Sequence, residues 1–439
     1  MRKRWIGVKA ATRLWLAVVA VLLALALPGV AQANEVTRWN SIALSTVLAQ
    51  PPISSSSNAA AVFMAMTQGA VYGAANAIDR HGRPYLVNRS FPKASQDAAV
   101  ATAAYRVLDA TFPAQHAALK AEYDMSLTNI PAGGPKDSGV DVGEMAAAAM
   151  LAQGHDARMA IGCSVGPFVP GVWQPLTDAS GAPLCDPGQW VKNAAPFLID
   201  SATQFRTAGP YPLDSAAYAA DYNEVKQIGA LDSTTRTPEQ THLAAFWQSN
   251  PAANYNLLAQ RFVAEQSLDT SDSARLFAMI DLNAADAIIT AWSDKYARLF
   301  WRPMAAIRNG DADLNSATAG DPAWTPLFTP SLPASVGGVG PALTTPPYPE
   351  HPSGAVSYAS ATMHAFQSFF GTDDQSFYVT SSRFPNEQRH FDRFSDLIDQ
   401  IVEARIWAGI HFRNADVQAA NLGREVEAWT RAHYFASMR

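Results

Sequence analysis

The sequence is poor in cysteine and in charge, and beyond its first 33 residues it has no long apolar run. Only two of its 439 residues are cysteine, Cys163 and Cys185, and no C-x-x-C spacing occurs. That argues against a thiol redox centre. No metal-type Cys/His cluster, no Gly-rich nucleotide loop before a helix and no G-x-S-x-G elbow is present. After residue 33 nothing approaches the ~18 consecutive apolar residues that a spanning helix needs. Alternating strand patterns are scarce, and no repeat of fixed period appears.

What is present begins with a targeting signal. Arg2, Lys3, Arg4, Lys9 and Arg13 form a basic start, and Leu14 to Leu27 is an apolar run. Ala31-Gln32-Ala33 is a small-x-small cleavage site, so the mature chain is expected to begin at Asn34, outside the cytoplasm, in the periplasm or the medium. Removing residues 1–33 removes five positive charges and no negative ones, taking the formal net charge from −6 to −11. Such a surface repels nucleic acid and anionic lipid. In an exported protein the default reading of Cys163 and Cys185 is a disulfide, closing a Pro- and Gly-rich loop and contributing about 3 kcal/mol.

The rest reads as an all-α chain too long for one core: an N-terminal helical region over 34–265 and a second bundle over 266–439. Helices are expected at Ala59–Ile78, Gln96–Thr111 behind a Ser95 cap, from Asp141 to a stop at Gly154, at Tyr218–Ile228, and at Thr237–Ser249 behind Thr237-Pro238-Glu239-Gln240. The longest candidate runs from Asp269 to Phe300. Residues 161–196 and 316–349 read as loops, the latter with eight prolines. Further helices are expected from about Pro352 to Phe370, from Asp392 to Ala408, and up to the C-terminus.

Three separated segments carry the chemistry. On the long helix, Phe277, Ile280, Ala284, Ile288 and Ala291 form a stripe that continues to Lys295 and then Arg302, two turns further on. Pro303 places Arg302 at the helix end. In the second segment Pro352 suits a first helical position, which puts Ser353, Gly354 and Ala355 in a first turn whose free N–H groups favour an anion. In the third, the stripe Phe391, Phe394, Ile398, Ile401 leads to Arg405. Gly409 is a natural terminator that lets His411 turn back toward it. Each segment alone has a plainer reading: a solvated Lys and Arg, an ordinary helix start, an inward Arg paired with a carboxylate. Two arginines, a lysine and a histidine together would be costly to bury without an anion, and a tetrahedral oxyanion is the simplest partner.

In this order the segments resemble the vanadium-dependent haloperoxidases and type-2 phosphatidic acid phosphatases. K-x6-R-P is intact as Lys295 to Pro303. P-S-G-H appears as Pro352-Ser353-Gly354 followed by Ala355, and R-x5-H is intact as Arg405 and His411. Flanking stretches such as Tyr222–Gly229, Arg236–Gln240, Phe300–Ile307 and Gly409–Arg413 resemble the soluble bacterial haloperoxidase-like branch. The resemblance implies an all-α, haloperoxidase/acid phosphatase-like fold with helical bundles around an oxyanion pocket, holding vanadate, or phosphate in the same place. It implies that Lys295, Arg302 and Arg405 neutralise the oxyanion and that Ser353 and the Gly354 amide hydrogen-bond it. His411 would ligate vanadium, or act as the nucleophile of a phosphatase. The expected activity is oxidation of halide by hydrogen peroxide. A phosphomonoesterase and a non-catalytic oxyanion binder are the alternatives, and soluble members of this superfamily often associate into homo-oligomers.

Two departures stand out. Ala355 replaces the acid–base histidine, a loss that typically costs ~10²–10⁴-fold in rate. His351, four residues earlier, is the one available substitute, whereas His364 faces away and reads as structural. The aspartate that the family often has four residues after the third-motif histidine, where a carboxylate would orient that ring, is here Ala415, and whether Asp416, one later, orients His411 stays open.

Overall fold

The computed structural model describes residues 34–436. The expected signal segment, residues 1–33, lies outside them. The chain folds into α1 (Glu35–Leu48), α2 (Pro52–Ser55), α3 (Ser57–Ile78), α4 (Gln96–Thr111), α5 (His116–Asn129), α6 (Gly134–Leu151), α7 (Ala216–Ile228), α8 (Pro238–Phe246), α9 (Pro251–Gln266), α10 (Thr270–Arg298), α11 (Pro303–Arg308), α12 (Ala334–Gly337), α13 (Gly354–Phe370), α14 (Phe394–Trp407) and α15 (Arg413–His433). One antiparallel hairpin, β1 (Asp374–Ser381) and β2 (Phe384–Arg393), interrupts the helices, with Phe377 opposite Phe391 and Tyr378 opposite His390.

Local sequence explains most of the starts and stops. The side chains of Asn34, Ser95, Ser215 and Asp269 each accept the N–H of the residue three further on. Thr237 and Gln240 close a reciprocal capping box. These caps satisfy amides that a first turn otherwise leaves open. Cys163 and Cys185 are disulfide-bonded across the long irregular segment before α7.

α10 is the axis of the molecule. It packs on α3 on one side and on α13 on the other, and α13 in turn packs on α15 and α14. By length and composition alone α10 is apolar enough to cross a membrane, but 94% of its apolar window is buried inside the protein. A single apolar cluster runs from Val36 and Trp39 on α1 through Phe277 and Ile288 on α10 to Phe366 and Phe394.

Four expectations need correction. α6 starts at Gly134, seven residues before Asp141; the added turns pack on the start of α4, where the Ser95 amide donates to the Pro135 carbonyl at 2.7 Å and a Cβ at Gly139 would meet the Ser95 carbonyl. Phe391 is not on a helix: it sits in β2, and the stripe leading to Arg405 starts at Phe394. Lys295 and Arg302 do not share a helix. α10 stops at Arg298, Leu299 turns left-handed at φ +52°, and Arg302 is extended as the N-cap of α11. Ser353 is the N-cap of α13 rather than a residue of its first turn.

Candidate functional site

The three segments meet. Lys295 comes from the last turn of α10, where its side chain is fully buried and its Nζ donates to the carbonyls of Pro349 (3.0 Å) and Glu350 (2.8 Å). Arg302 donates through Nε to the Tyr348 carbonyl (2.9 Å) and through Nη1 to the Ile410 carbonyl (2.8 Å). The same Nη1 lies 3.1 Å from His411 Nε2. Arg405 points inward from α14, buried, with Nη1 on Gln248 Oε1 at 2.5 Å. Gly409 ends the helix at φ +74°, as its position suggested, and any other residue there would be strained and would press on the Gly229 carbonyl. That left-handed turn brings His411 back toward the arginines.

Three buried cations therefore share one region. Their direct partners are backbone carbonyls, one amide side chain and a histidine, and among the described residues none of them has a carboxylate within 4 Å. Burial pushes Lys295 well down, and Arg302 and Arg405 down, from their usual values. Aromatic rings flank the group: Tyr348 lies 4.9 Å from the Arg302 guanidinium and 5.3 Å from Lys295 Nζ, and Trp292 lies 5.7 Å from Lys295 Nζ.

Unused hydrogen-bonding atoms point to the same place. Arg302 Nη2 and Arg405 Nε are buried and have no partner, and buried Ser353 Oγ makes no well-formed hydrogen bond, with the Asp416 carboxylate as its neighbour. Ser353 occupies an N-cap, where a serine hydroxyl normally bonds a first-turn amide, yet makes no such bond. The first-turn amides of α13, Gly354 first among them, stay open beside it. Gly354 also has a packing duty, since a Cβ there would lie 2.5 Å from the Trp292 ring. Buried orphan donors are rare in folded proteins and call for a missing acceptor. These fit an oxyanion in donor type and in charge.

His411 is buried, and the Arg302 Nη1 donor 3.1 Å from its Nε2 requires that nitrogen to accept. Burial, then Arg302, Lys295 and Arg405, push its pKa well below the usual value. Its Nδ1 lies 2.8 Å from Glu350 Oε1, which also accepts the Phe412 amide at 3.0 Å. Burial pushes Glu350 up to about 7, against the pull of Arg302 and Lys295. Asp416 makes no hydrogen bond to His411. It is buried in the first turn of α15 facing Ser353, its oxygens are without a well-formed hydrogen bond, and burial pushes its pKa well up.

His351 is buried beside the group. Its Nε2 lies 2.8 Å from Thr207 Oγ1, which donates to Asp294 at 2.5 Å, and its Nδ1 has no partner. Burial, with Lys295 and Arg298, lowers it to about 3. His364 bonds the Ser360 carbonyl one turn back, a local role. A separate group, His81 with Asp269 and Asp272, has ligand atoms within 4.8 Å of one another. It lies at the opposite end of α10 from Lys295, roughly 35 Å away at ~1.5 Å per residue.

Sequence reasoning missed Glu350, Tyr348 and Trp292. Glu350 and Tyr348 sit in the Pro-rich strap directly before the second motif, and Trp292 lies one helical turn before Lys295, so each had a positional signal. Thr207 and Gln248 come from distant loops and had none.

Residues 275–438 match the family model described as the VCPO second helical-bundle domain. The vanadium chloroperoxidase of Curvularia inaequalis is 24% identical over 285 residues, covering 50% of this chain and 45% of that protein. The chain thus spans less than half the length of that relative. A crystal structure described as the first bacterial vanadium-dependent iodoperoxidase superimposes with a TM-score of 0.68 at 21% identity, over 92% of this chain and 96% of that one. A holo-type bacterial vanadium-dependent chloroperoxidase does so with 0.65 at 16% identity, over 91% and 97%. At these identities the structural likeness establishes the fold.

Proposed function

We propose that this chain is a vanadium haloperoxidase-like protein that binds vanadate and uses hydrogen peroxide to oxidise halide. The observation that carries the reading is the set of three buried cations, Lys295, Arg302 and Arg405, with no carboxylate within 4 Å of them among the described residues and only Glu350, Asp416 and Asp186 acting on them from further off. An oxyanion supplies the missing negative charge.

Each residue has a defined task in this reading. Lys295, Arg302 and Arg405 neutralise the guest, and the Ser353 hydroxyl and Gly354 amide orient it. His411 would offer Nε2 to the bound oxyanion, and Arg302 Nη1, now 3.1 Å from that nitrogen, would be a donor beside it. Bound vanadate would supply Lewis-acid activation of peroxide. The buried cations hold charge in place at no reorganisation cost, which is where such sites derive most of their power. Tyr348 and Trp292 limit water at the cationic group.

Ala355 transfers no proton. Peroxide tolerates that loss better than an alkyl phosphate does, because an alkoxide leaving group needs a donor. The reading also includes export, with Asn34 as the first mature residue. Asn34 caps α1 and binds the Leu268 carbonyl and Ser273, so a cut at Ala33 leaves the fold's first anchor in place. The Cys163–Cys185 bridge suits an oxidising compartment.

The test is bromination of a reporter substrate by the vanadate-loaded protein with peroxide, beside an Arg405→Ala control. Turnover no faster than the control rejects the reading. Hydrolysis of an aryl phosphate, inhibited by vanadate and without peroxide-dependent turnover, would favour the phosphomonoesterase. Oxyanion binding with neither activity would favour a binder.

A further inference from the structure

Glu350 touches all three motif segments. Its amide donates to the Phe300 carbonyl at 2.9 Å, in the turn between Lys295 and Arg302. Its carbonyl accepts from Lys295 Nζ at 2.8 Å. Its carboxylate accepts from the Phe412 amide at 3.0 Å and lies 2.8 Å from His411 Nδ1. The residue is fully buried, so no water competes for these bonds. One residue of the Pro-rich strap thereby fixes both the lysine of the first segment and the histidine of the third.

The two neighbours of the His411 ring determine where its proton sits. Arg302 Nη1 lies 3.1 Å from Nε2. A guanidinium is only ever a donor, so Nε2 must accept. The single proton of a neutral imidazole is then on Nδ1, where the Glu350 carboxylate receives it. The two sides of the ring require the same tautomer. The proton on one nitrogen is set by the bond the other makes, and that decides which lone pair faces a guest.

We infer that Glu350 is the positioning residue of His411: it holds the proton on Nδ1 and presents a bare Nε2 to the cation cluster. It does from the second segment what the resemblance expected of a carboxylate four residues after the histidine. That position is Ala415, which lines the same small cleft as Glu350, His351 and Phe412. Asp416, one residue further, is turned toward Ser353 instead. The role of the bare nitrogen rests on the oxyanion-binding reading, whereas the tautomer does not.

The experiment separates the two. The protein is labelled with ¹⁵N-histidine and studied free of oxyanion, with His411 assigned by difference from His411→Gln. The parent is expected to show a protonated Nδ1 and an unprotonated Nε2. Glu350→Gln, which keeps an acceptor oxygen, is expected to retain this pattern. Glu350→Leu is expected to lose it and to bind orthovanadate about 10–100-fold more weakly, the usual effect of removing such a support. A proton on Nε2 in the parent overturns the inference, and this reading needs no variant to fold. An unchanged tautomer and unchanged vanadate affinity in a folded Glu350→Leu overturns it as well. If the parent shows the expected tautomer but binds no vanadate, the proposed function fails and the positioning of His411 stands.

Discussion

Replacing Arg405 by methionine should make the oxyanion-free protein no less stable, and vanadate should then protect it no longer. The guanidinium is buried, touches Gln248 Oε1, has an unused Nε and lies in the field of Arg302. No carboxylate compensates it within 4 Å among the described residues. Methionine keeps much of the length and removes the desolvated charge. Exchanges of buried charged groups for apolar ones of similar volume are neutral or stabilising by about 1–4 kcal/mol. The parent, by contrast, should gain about 2.7 kcal/mol with vanadate at a hundred times its dissociation constant. At about 2.1 cal/mol/K of unfolding entropy per residue, one kcal/mol moves the midpoint of a chain this long by about 1 °C. The parent should therefore rise by about 3 °C on adding vanadate, and Arg405→Met should not respond. Thermal unfolding followed by circular dichroism, with and without vanadate, reads both effects. A variant destabilised by about 3–5 kcal/mol without any oxyanion, the usual cost of breaking a buried pair, would mean that the charge is already neutralised inside the protein. The argument for an anionic guest would then fail.

Restoring the missing acid with Ala355→His should raise hydrolysis of alkyl phosphates by about 10²–10⁴-fold and change aryl phosphate hydrolysis far less; equal gains on both substrates would argue against a proton-transfer role. Asp281 is buried on α10, accepts from Asn256 at 2.9 Å through one oxygen, and burial raises it from 3.8 to about 7. Its folded pKa is raised, so the parent should lose stability as pH climbs from about 4 to about 7, by an amount on the order of 4 kcal/mol. Asp281→Asn should flatten that dependence, and urea unfolding at pH 5 and pH 8 measures it; parallel curves for the two proteins would refute the assignment. Removing the Cys163–Cys185 bridge by a double alanine substitution should cost about 3 kcal/mol for a loop of this length, read as a lower denaturation midpoint. No change would show that the loop is held by other contacts.

The local code was legible wherever a short stretch of chain carries its own signal. Ser95 and Thr237 cap where their neighbours predict, Gly409 ends α14, and α10 shows as a long apolar helix up to Lys295 because it is buried on nearly all sides. The hairpin of β1 and β2 was not legible. Most of β2 is exposed, its burial does not alternate cleanly, and Phe391 is the one buried β2 residue in the core cluster, opposite Phe377 and near Val379 of β1. The route from Lys295 to Arg302 was misread for a related reason: a left-handed Leu299 has no compositional mark.

The residue types of the site, and their order, were thus determined by the sequence alone. What only the tertiary structure decided is which groups are left without partners. Whether Arg405 meets a carboxylate, whether Ser353 caps its own helix, and whether Glu350 or Asp416 reaches His411 depend on contacts between segments up to 157 residues apart, such as Arg405 with Gln248. A hydrogen bond depends on ångström-scale placement and angle, and no periodicity along the chain encodes that.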